Sequence, residues 1–247
     1  MIEDAAGYDQ IASQFSPDGR ILQVEYAKKA LLKSGTVIGL RGRDCVVLAS
    51  EKIVPSKLYE SSAFDRIFSV TPHIGMALVG YRPDARHLLQ AARGEAEAYK
   101  IRYKEDIPAK ELKQKMAMYV HAYTLYGAFR PFGAGLMMAS SLSGPEMFCI
   151  DPFGTAYGYF GFAMGKNEQA AKSEIEVLDL KSMDAEELVK EAARILYMVH
   201  DEKDKNFELE ISWTGRTTSQ KHQKVPDRLL QIAEEYAQDA IEERNSD

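Results

Sequence analysis

Ser34-Gly35-Thr36 places two hydroxyl side chains around a glycine, directly ahead of the apolar β-branched run TVIGL (36–40). Were the backbone cut at this step, the new first residue would carry its own α-amine beside its hydroxyl. That amine would act as the base that activates the oxygen for attack on a carbonyl. In an uncut chain neither hydroxyl has such a base, and the step is only the approach to a strand. Other candidates for chemistry are weaker. GYFGFAMGKN (158–167) departs from a phosphate-binding loop by one residue between Gly161 and Gly165-Lys166, and Asn167 stands where Ser or Thr would hold a metal. It reads better as a strand with glycines at close packing points, leading into a helix.

His73, His87, His121, His200 and His222 are scattered, and none makes a metal-ligand spacing with Cys45 or Cys149. No metal and no cofactor are expected. Each cysteine sits in an apolar stretch, CVVLA or MFCI, and reads as a buried free thiol rather than half of a disulfide.

The frame around the 34–36 step is regular. Strand-like stretches fall at 36–40, 44–50, 66–70, 73–80, 132–141, 146–153, 155–165 and 206–213, each rich in β-branched or aromatic residues. RGRD (41–44) and DPFG (151–154) read as hairpin turns. Helical spacing of apolar residues marks 83–102, 108–126, 167–178, 185–200 and 226–243. On 108–126 the face carrying Met116, Met118, Tyr119, Tyr123 and Tyr126 reads as core, and the charged run HDEKDKNFE (200–208) reads as a solvated loop. Ser16-Pro17-Asp18-Gly19 is a turn sequence, with Pro presetting φ. After it, Val24, Ala27 and Leu31 share a helix face, and Gly35 is the expected C-cap. A packed helix directly ahead of TVIGL is awkward for a self-cleaved nucleophile, because that helix would have to be removed.

The alternation of β-rich and helical pairs, unbroken by a Pro/Gly/Ser linker, predicts one domain over 1–247 of α+β class: two packed antiparallel sheets with helices outside. The 247 residues, 45% apolar and 28% charged, are ordinary for a chain that buries a core. A net charge of −6 argues against a nucleic-acid surface, and no run approaches the ~18 apolar residues of a membrane span. MIEDAAGYDQ has neither the basic nor the apolar region of a signal peptide, so a reducing compartment is expected.

YDQIASQFSPDGRILQVEYAKKA (8–30) resembles the N-terminal signature of proteasome α-type subunits. The likeness continues through KLYE (57–60), DARHL (84–88), AMYVHAYTLYGAFRPFG (117–133), YGYFGFAMGKNEQAAKSEIE (157–176) and VHDEKDKNFELEISW (199–213), covering residues 5 to 240. The resemblance implies the N-terminal-nucleophile hydrolase fold, a four-layer αββα sandwich, in a subunit that builds the outer heptameric ring of the 20S particle. The implied partners are neighbouring α subunits, β subunits and regulatory particles, in the cytoplasm and nucleus.

In the catalytic β-type relatives the strand opens with a free Thr assisted by an Asp and a Lys. Anchoring on Gly39 and counting back places Gly35 in the nucleophile's position, with Glu51 at the Asp and Arg66 near the Lys after a one-residue gap. An Arg does not give up its proton at neutral pH and is a poor base. The competing reading is a self-processed hydrolase acting from Thr36 or Ser34. The family further implies a mobile gate segment over 1–16 and a cluster of Tyr8, Asp9, Pro17 and Tyr26 that holds the open gate. Gln10 stands where many members have Arg. Arg66 falls where a family Lys meets the carboxylate of an activator tail. The helix region 17–33 is expected to turn its apolar face to a ring neighbour. The acidic segment 226–247 reads as a solvated outer helix and tail, or as a docking site with a modifiable Ser246.

Overall fold

A computed structural model describes residues 7–201 and 207–246, without the side chains of Asn245 and Ser246. The first residues of the expected gate segment, the middle of the expected loop 200–208 and the Ser246 hydroxyl lie outside the described residues. Helix α1 (Leu22–Leu31) leads into β1 (Val37–Arg41) and β2 (Cys45–Ile53). A 3-10 turn (Ser61–Phe64) precedes β3 (Ile67–Thr71) and β4 (Ile74–Gly80), followed by α2 (Arg82–Tyr103) and α3 (Ala109–Leu125). Strands β5 (Ala134–Ser140), β6 (Glu146–Ile150), β7 (Ala156–Gly158) and β8 (Gly161–Met164) lead to α4 (Glu168–Glu176) and α5 (Ala185–Val199). The chain closes with β9 (Phe207–Gly215), β10 (Gln223–Lys224) and α6 (Asp227–Ser246).

The strands form two antiparallel sheets, ordered β10-β9-β2-β1-β8 and β3-β4-β5-β6-β7. Helices α4, α5 and α6 cover the first sheet through Ala171, Leu188, Ile195 and Ala233; α2 and α3 cover the second through Leu88, Ala92, Leu112 and Met116. Val37, Val46, Leu48, Val79, Met137 and Met147 fill the space between the sheets. The result is the four-layer αββα sandwich. Because the central strands are covered on both faces, β2 reads as a continuous apolar run rather than an alternating one. Cys45, Val47 and Ala49 face the helices while Val46 and Leu48 face the other sheet. Each such Val or Leu contributes about 1.5–3 kcal/mol by leaving water. Local signals place the helices: at α5, Asp184 Oδ1 accepts from the N–H groups of Glu186 and Glu187 at 3.0 Å, and Glu187 Oε2 accepts from Asp184 N at 2.8 Å.

Four expectations are corrected. Of the face expected to be core on α3, Met116 is buried and Tyr119 and Tyr123 pack against the core, but Met118 and Tyr126 are exposed. The stretch 155–165 is not one strand: β7 pairs with β6 in one sheet and β8 with β1 in the other, so the chain changes sheets at Tyr159-Phe160. Its aromatic and glycine composition suits a strand throughout, so only pairing partners reveal the break. The apolar face of α1 is not left for a neighbour either. The helix begins at Leu22, and Val24 and Leu31 are fully buried in the chain's own core, Leu31 among the residues between the sheets. Tyr26, Lys28 and Lys29 are the side chains α1 exposes, with Leu32 just past its end. The expected cap at Gly35 is also absent, since the helix has already ended at Leu31.

His222, just ahead of β10, ties the two sheets at one edge. Its Nδ1 lies 2.8 Å from Ser69 Oγ on β3, and its Nε2 lies 2.8 Å from Ser212 Oγ on β9. Burial pushes its pKa from the usual 6.5 down to about 4. Between those values the unfolded chain binds a proton that the folded chain refuses, so stability falls as pH drops from 6.5 to 4 and the loss is complete below 4. Relative to His222→Asn, the wild type should lose about 3 kcal/mol across that window, as read by urea unfolding midpoints at stepped pH. Parallel pH profiles for the two proteins would refute this.

Candidate functional site

The residues ahead of β1 lie beside the end of β2, because Val37 pairs with Ser50 in the antiparallel register. Ser34 Oγ donates to Leu31 O at 2.8 Å and accepts from Gly80 N at 2.9 Å, so its bonding capacity is taken up by backbone. Thr36 is wholly buried. Its N–H donates to Glu51 Oε2 at 2.8 Å, its carbonyl accepts from Glu51 N at 2.8 Å, and its Oγ1 accepts from Asn167 N at 3.3 Å. Glu51 is 1% exposed; its second oxygen meets His200 Nδ1 at 2.6 Å, and the His200 ring stacks on Phe207 with centroids 4.5 Å apart.

Between these anchors the backbone itself is pressed. A Cβ on Gly35 would stand 2.5 Å from Glu51 O. From the other side Gly165, at φ +112, approaches so closely that a Cβ there would stand 2.6 Å from Gly35 O, and Lys166 N donates to Ser34 O at 3.0 Å. Only glycine meets both demands at 165: a left-handed φ and room for a neighbouring carbonyl. The arrangement holds backbone, and among the described residues neither hydroxyl donates to a side-chain base. Asn167, His200 and Gly165 were not anticipated as parts of it. The GKN sequence that fails as a phosphate loop is the piece that closes over the step.

Arg66 lies about fifteen positions beyond Glu51 in sequence, at the entry to β3. Its N–H donates to Glu210 Oε2 at 2.8 Å, which fixes the backbone, while its guanidinium makes no hydrogen bond or ion pair among the described residues. Burial, with Arg82 nearby, pushes it down to about 10 against the pull of Glu210 and Glu51. Arg82 lies over the Phe64 ring at 4.8 Å, and Arg66, Arg82 and Arg86 line one shallow depression with Asp65. Three guanidiniums line the depression beside Asp65, with Glu210 and Glu51 behind them, and a carboxylate can meet such a fork bidentately. Lys52 is not free to join them: burial lowers its pKa, but Glu208 at 2.9 Å and Asp65 at 3.3 Å outweigh that and hold it charged.

At the N-terminal side, Tyr26 OH donates to Asp9 Oδ2 at 3.4 Å, and Gln23 Nε2 donates to Asp9 O. Pro17 is exposed in a turn closed by Gly19 N donating to Ser16 O at 2.9 Å and Ser16 N to Arg20 O at 2.8 Å. The structure therefore brings Asp9 and Tyr26 together. Tyr8, half-buried, makes no hydrogen bond among the described residues, and Gln10 is exposed. No group of three or more metal-ligating side chains occurs among the described residues, and no described helix is long and apolar enough to cross a membrane.

Residues 32–214 match the family model described as proteasome subunit, and residues 8–30 match the one described as the N-terminal signature of the A-type proteasome subunits. The chain is 48% identical to the alpha type-3 proteasome subunit of Drosophila melanogaster over 98% of its length and 96% of the relative's. It is 46% identical to the alpha type-3 proteasome subunit of Arabidopsis thaliana over the whole of both chains. A protein of Saccharomyces cerevisiae described as a probable alpha type-7 proteasome subunit is 42% identical over 98% of this chain and 86% of its own.

The 2.5 Å approach to Glu51 O gives a direct test. Gly35→Ala should destabilise the fold by about 1–3 kcal/mol, the usual cost of forcing atoms into a filled site. A chemical denaturation midpoint equal to wild type would show that the clamp has slack.

Proposed function

The chain belongs to the proteasome subunit family, and on that premise we propose how this α-type, non-catalytic member of the 20S core ring does its work without a nucleophile, gates the pore and receives activators. Gly35 stands at the position from which catalytic relatives attack. Its side-chain-free Cα, clamped between Glu51 and Gly165, is the observation that carries this reading. The hydroxyls on either side are bonded or buried, and the backbone runs unbroken from a packed α1 into β1. No amine is available as a base. What remains is the scaffold that catalytic relatives share, used for assembly with other proteasome subunits: α neighbours in the heptamer and a β ring beneath.

The gate reading assigns residues 1–16 to the pore and the Asp9–Tyr26 contact, with Pro17 and Tyr8, to the open arrangement. A weak contact suits a switch, because two arrangements of a short segment need differ by only a few kcal/mol to be interconverted by a ligand. The activator reading assigns Arg66 and its two neighbouring arginines to the carboxylate of a tail docking between subunits. That none of the three makes an ion pair among the described residues is what supports it. The place of work is the cytoplasm and the nucleus.

Three measurements test these assignments. A threonine-directed covalent inhibitor should leave the mass of this subunit unchanged while modifying catalytic subunits of the same particle; an adduct on Thr36 or Ser34 would overturn the non-catalytic reading. In assembled particles, deleting residues 2–9 should raise basal hydrolysis of small peptides, and Asp9→Ala should weaken stimulation by an activator. Unchanged rates in both would leave this segment without a gating role. Arg66→Ala should lower the affinity of a tail-bearing activator by about tenfold, the effect of losing a charged contact of roughly 1.4 kcal/mol.

A further inference from the structure

Leu58 is the most exposed large apolar side chain among the described residues, at 94%, and Tyr59 beside it is 57% exposed. They lie in the connection between β2 and the 3-10 turn, in the sequence Lys57-Leu58-Tyr59-Glu60. The chain immediately after Glu60 is moored at one edge of the sandwich: Ser61 Oγ donates to Glu208 on β9, and Asp65 pairs with Lys224 on β10 at 3.0 Å. The side chains of Lys57 and Glu60 make no ion pair or hydrogen bond among the described residues. An apolar knob flanked by one such cation and one such anion is thus held out from the β3–β10 edge.

At the opposite edge, beside β7 and β8, a cavity of about 90 Å³ opens between α1 and the sheets. Leu31, Phe162 and Met164 form its apolar part; Lys28, Asp151, Glu168 and Lys172 stand around it. Lys28 makes no ion pair or hydrogen bond among the described residues, and Lys172 lies over the Phe162 ring at 4.4 Å. An apolar cavity of about 150 Å³ holds benzene, with six carbons, so this one suits about four carbons, the number in a leucine side chain. The knob and the cavity also lie at one level. The register Val37 to Ser50 puts the end of α1 at the same end of the sandwich as the exit from β2. A projection on one flank and a matching recess on the other is the geometry of a head-to-tail interface, the kind from which rings are built when the rotation between subunits closes.

We propose that Leu58 inserts into the cavity, equivalent to this one, of an adjacent α-type subunit, and that the cavity beside α1 receives the corresponding loop of the neighbour on the other side. The inference rests on the ring-subunit reading and names the contact through which it operates. Charge complements shape: Lys172 and Glu168 already pair with each other at 3.4 Å, so Glu60 meets Lys28, the recess cation that makes no ion pair among the described residues. The buried face of α1 has a part in this, because it fixes the helix whose Lys28 and Leu31 shape the recess.

In assembled particles, a short aliphatic diazirine amino acid in place of Leu58 should, on photolysis, form a cross-link to one α neighbour. The linked peptide should be the neighbour's counterpart of Leu31 or of Phe162–Met164. A cross-link to any other segment, to a regulatory complex, or none at all would overturn the proposal. In competition with wild type for incorporation, Leu58→Asp should be disfavoured by about tenfold while Leu58→Met enters equally, since the position is on the surface and neither change disturbs the fold. Equal incorporation of the Asp variant would overturn the contact while leaving the ring reading intact. Wild-type chain that fails to enter the particle would defeat that reading itself.

Discussion

Everything near the start of the first strand depends on one buried carboxylate. Glu51 leaves water almost completely, and both of its oxygens are engaged: one by the Thr36 N–H, one by the His200 ring. A carboxylate so placed is tolerated only because its partners are there. Removing one would strand a buried acceptor, which costs more than the bond contributed. The carboxylate joins three separate pieces of chain, the approach to β1, the end of β2 and the end of α5. Its hold on the Thr36 N–H fixes the backbone at the entry to β1.

The close approach of Gly35 to Glu51 O and of Gly165 to Gly35 O follows from that anchoring. Three stretches of backbone cannot converge so tightly if any of them carries a side chain toward the others. The glycines are therefore conditions of the packing. Upstream, α1 has its apolar residues in the chain's own core and its cations at the surface, so cutting it away would expose core as well as free an amine.

The same division of labour separates rigid and adaptable surfaces. The body is held by burial on three levels, outer helices, inter-sheet core and outer helices again. Other features lie outside that core: the exposed knob at Leu58 and the long Asp9–Tyr26 contact. Each is inexpensive to rearrange because little core depends on it.

The element order, the two-sheet sandwich and the helix positions were legible in sequence, since period-2 and period-3.6 apolar patterns report burial directly. The motif-dense N-terminal signature likewise marked Asp9 and Tyr26, which the fold brings into contact. Three things were not legible. The stretch 155–165 looks like one strand because every residue in it suits a strand, while its break comes from a change of pairing partner. The apolar side of α1 announces that it is buried but not in what, and only the packing shows that Val24 and Leu31 belong to this chain's own core. Gly35 read as a helix cap because caps are local; its actual constraint is a carbonyl oxygen on β2, brought near by strand register. Local patterns determine which residues leave water and in what conformation. Which surfaces they meet is decided by contacts between distant segments, and a single sequence carries no local signal for those.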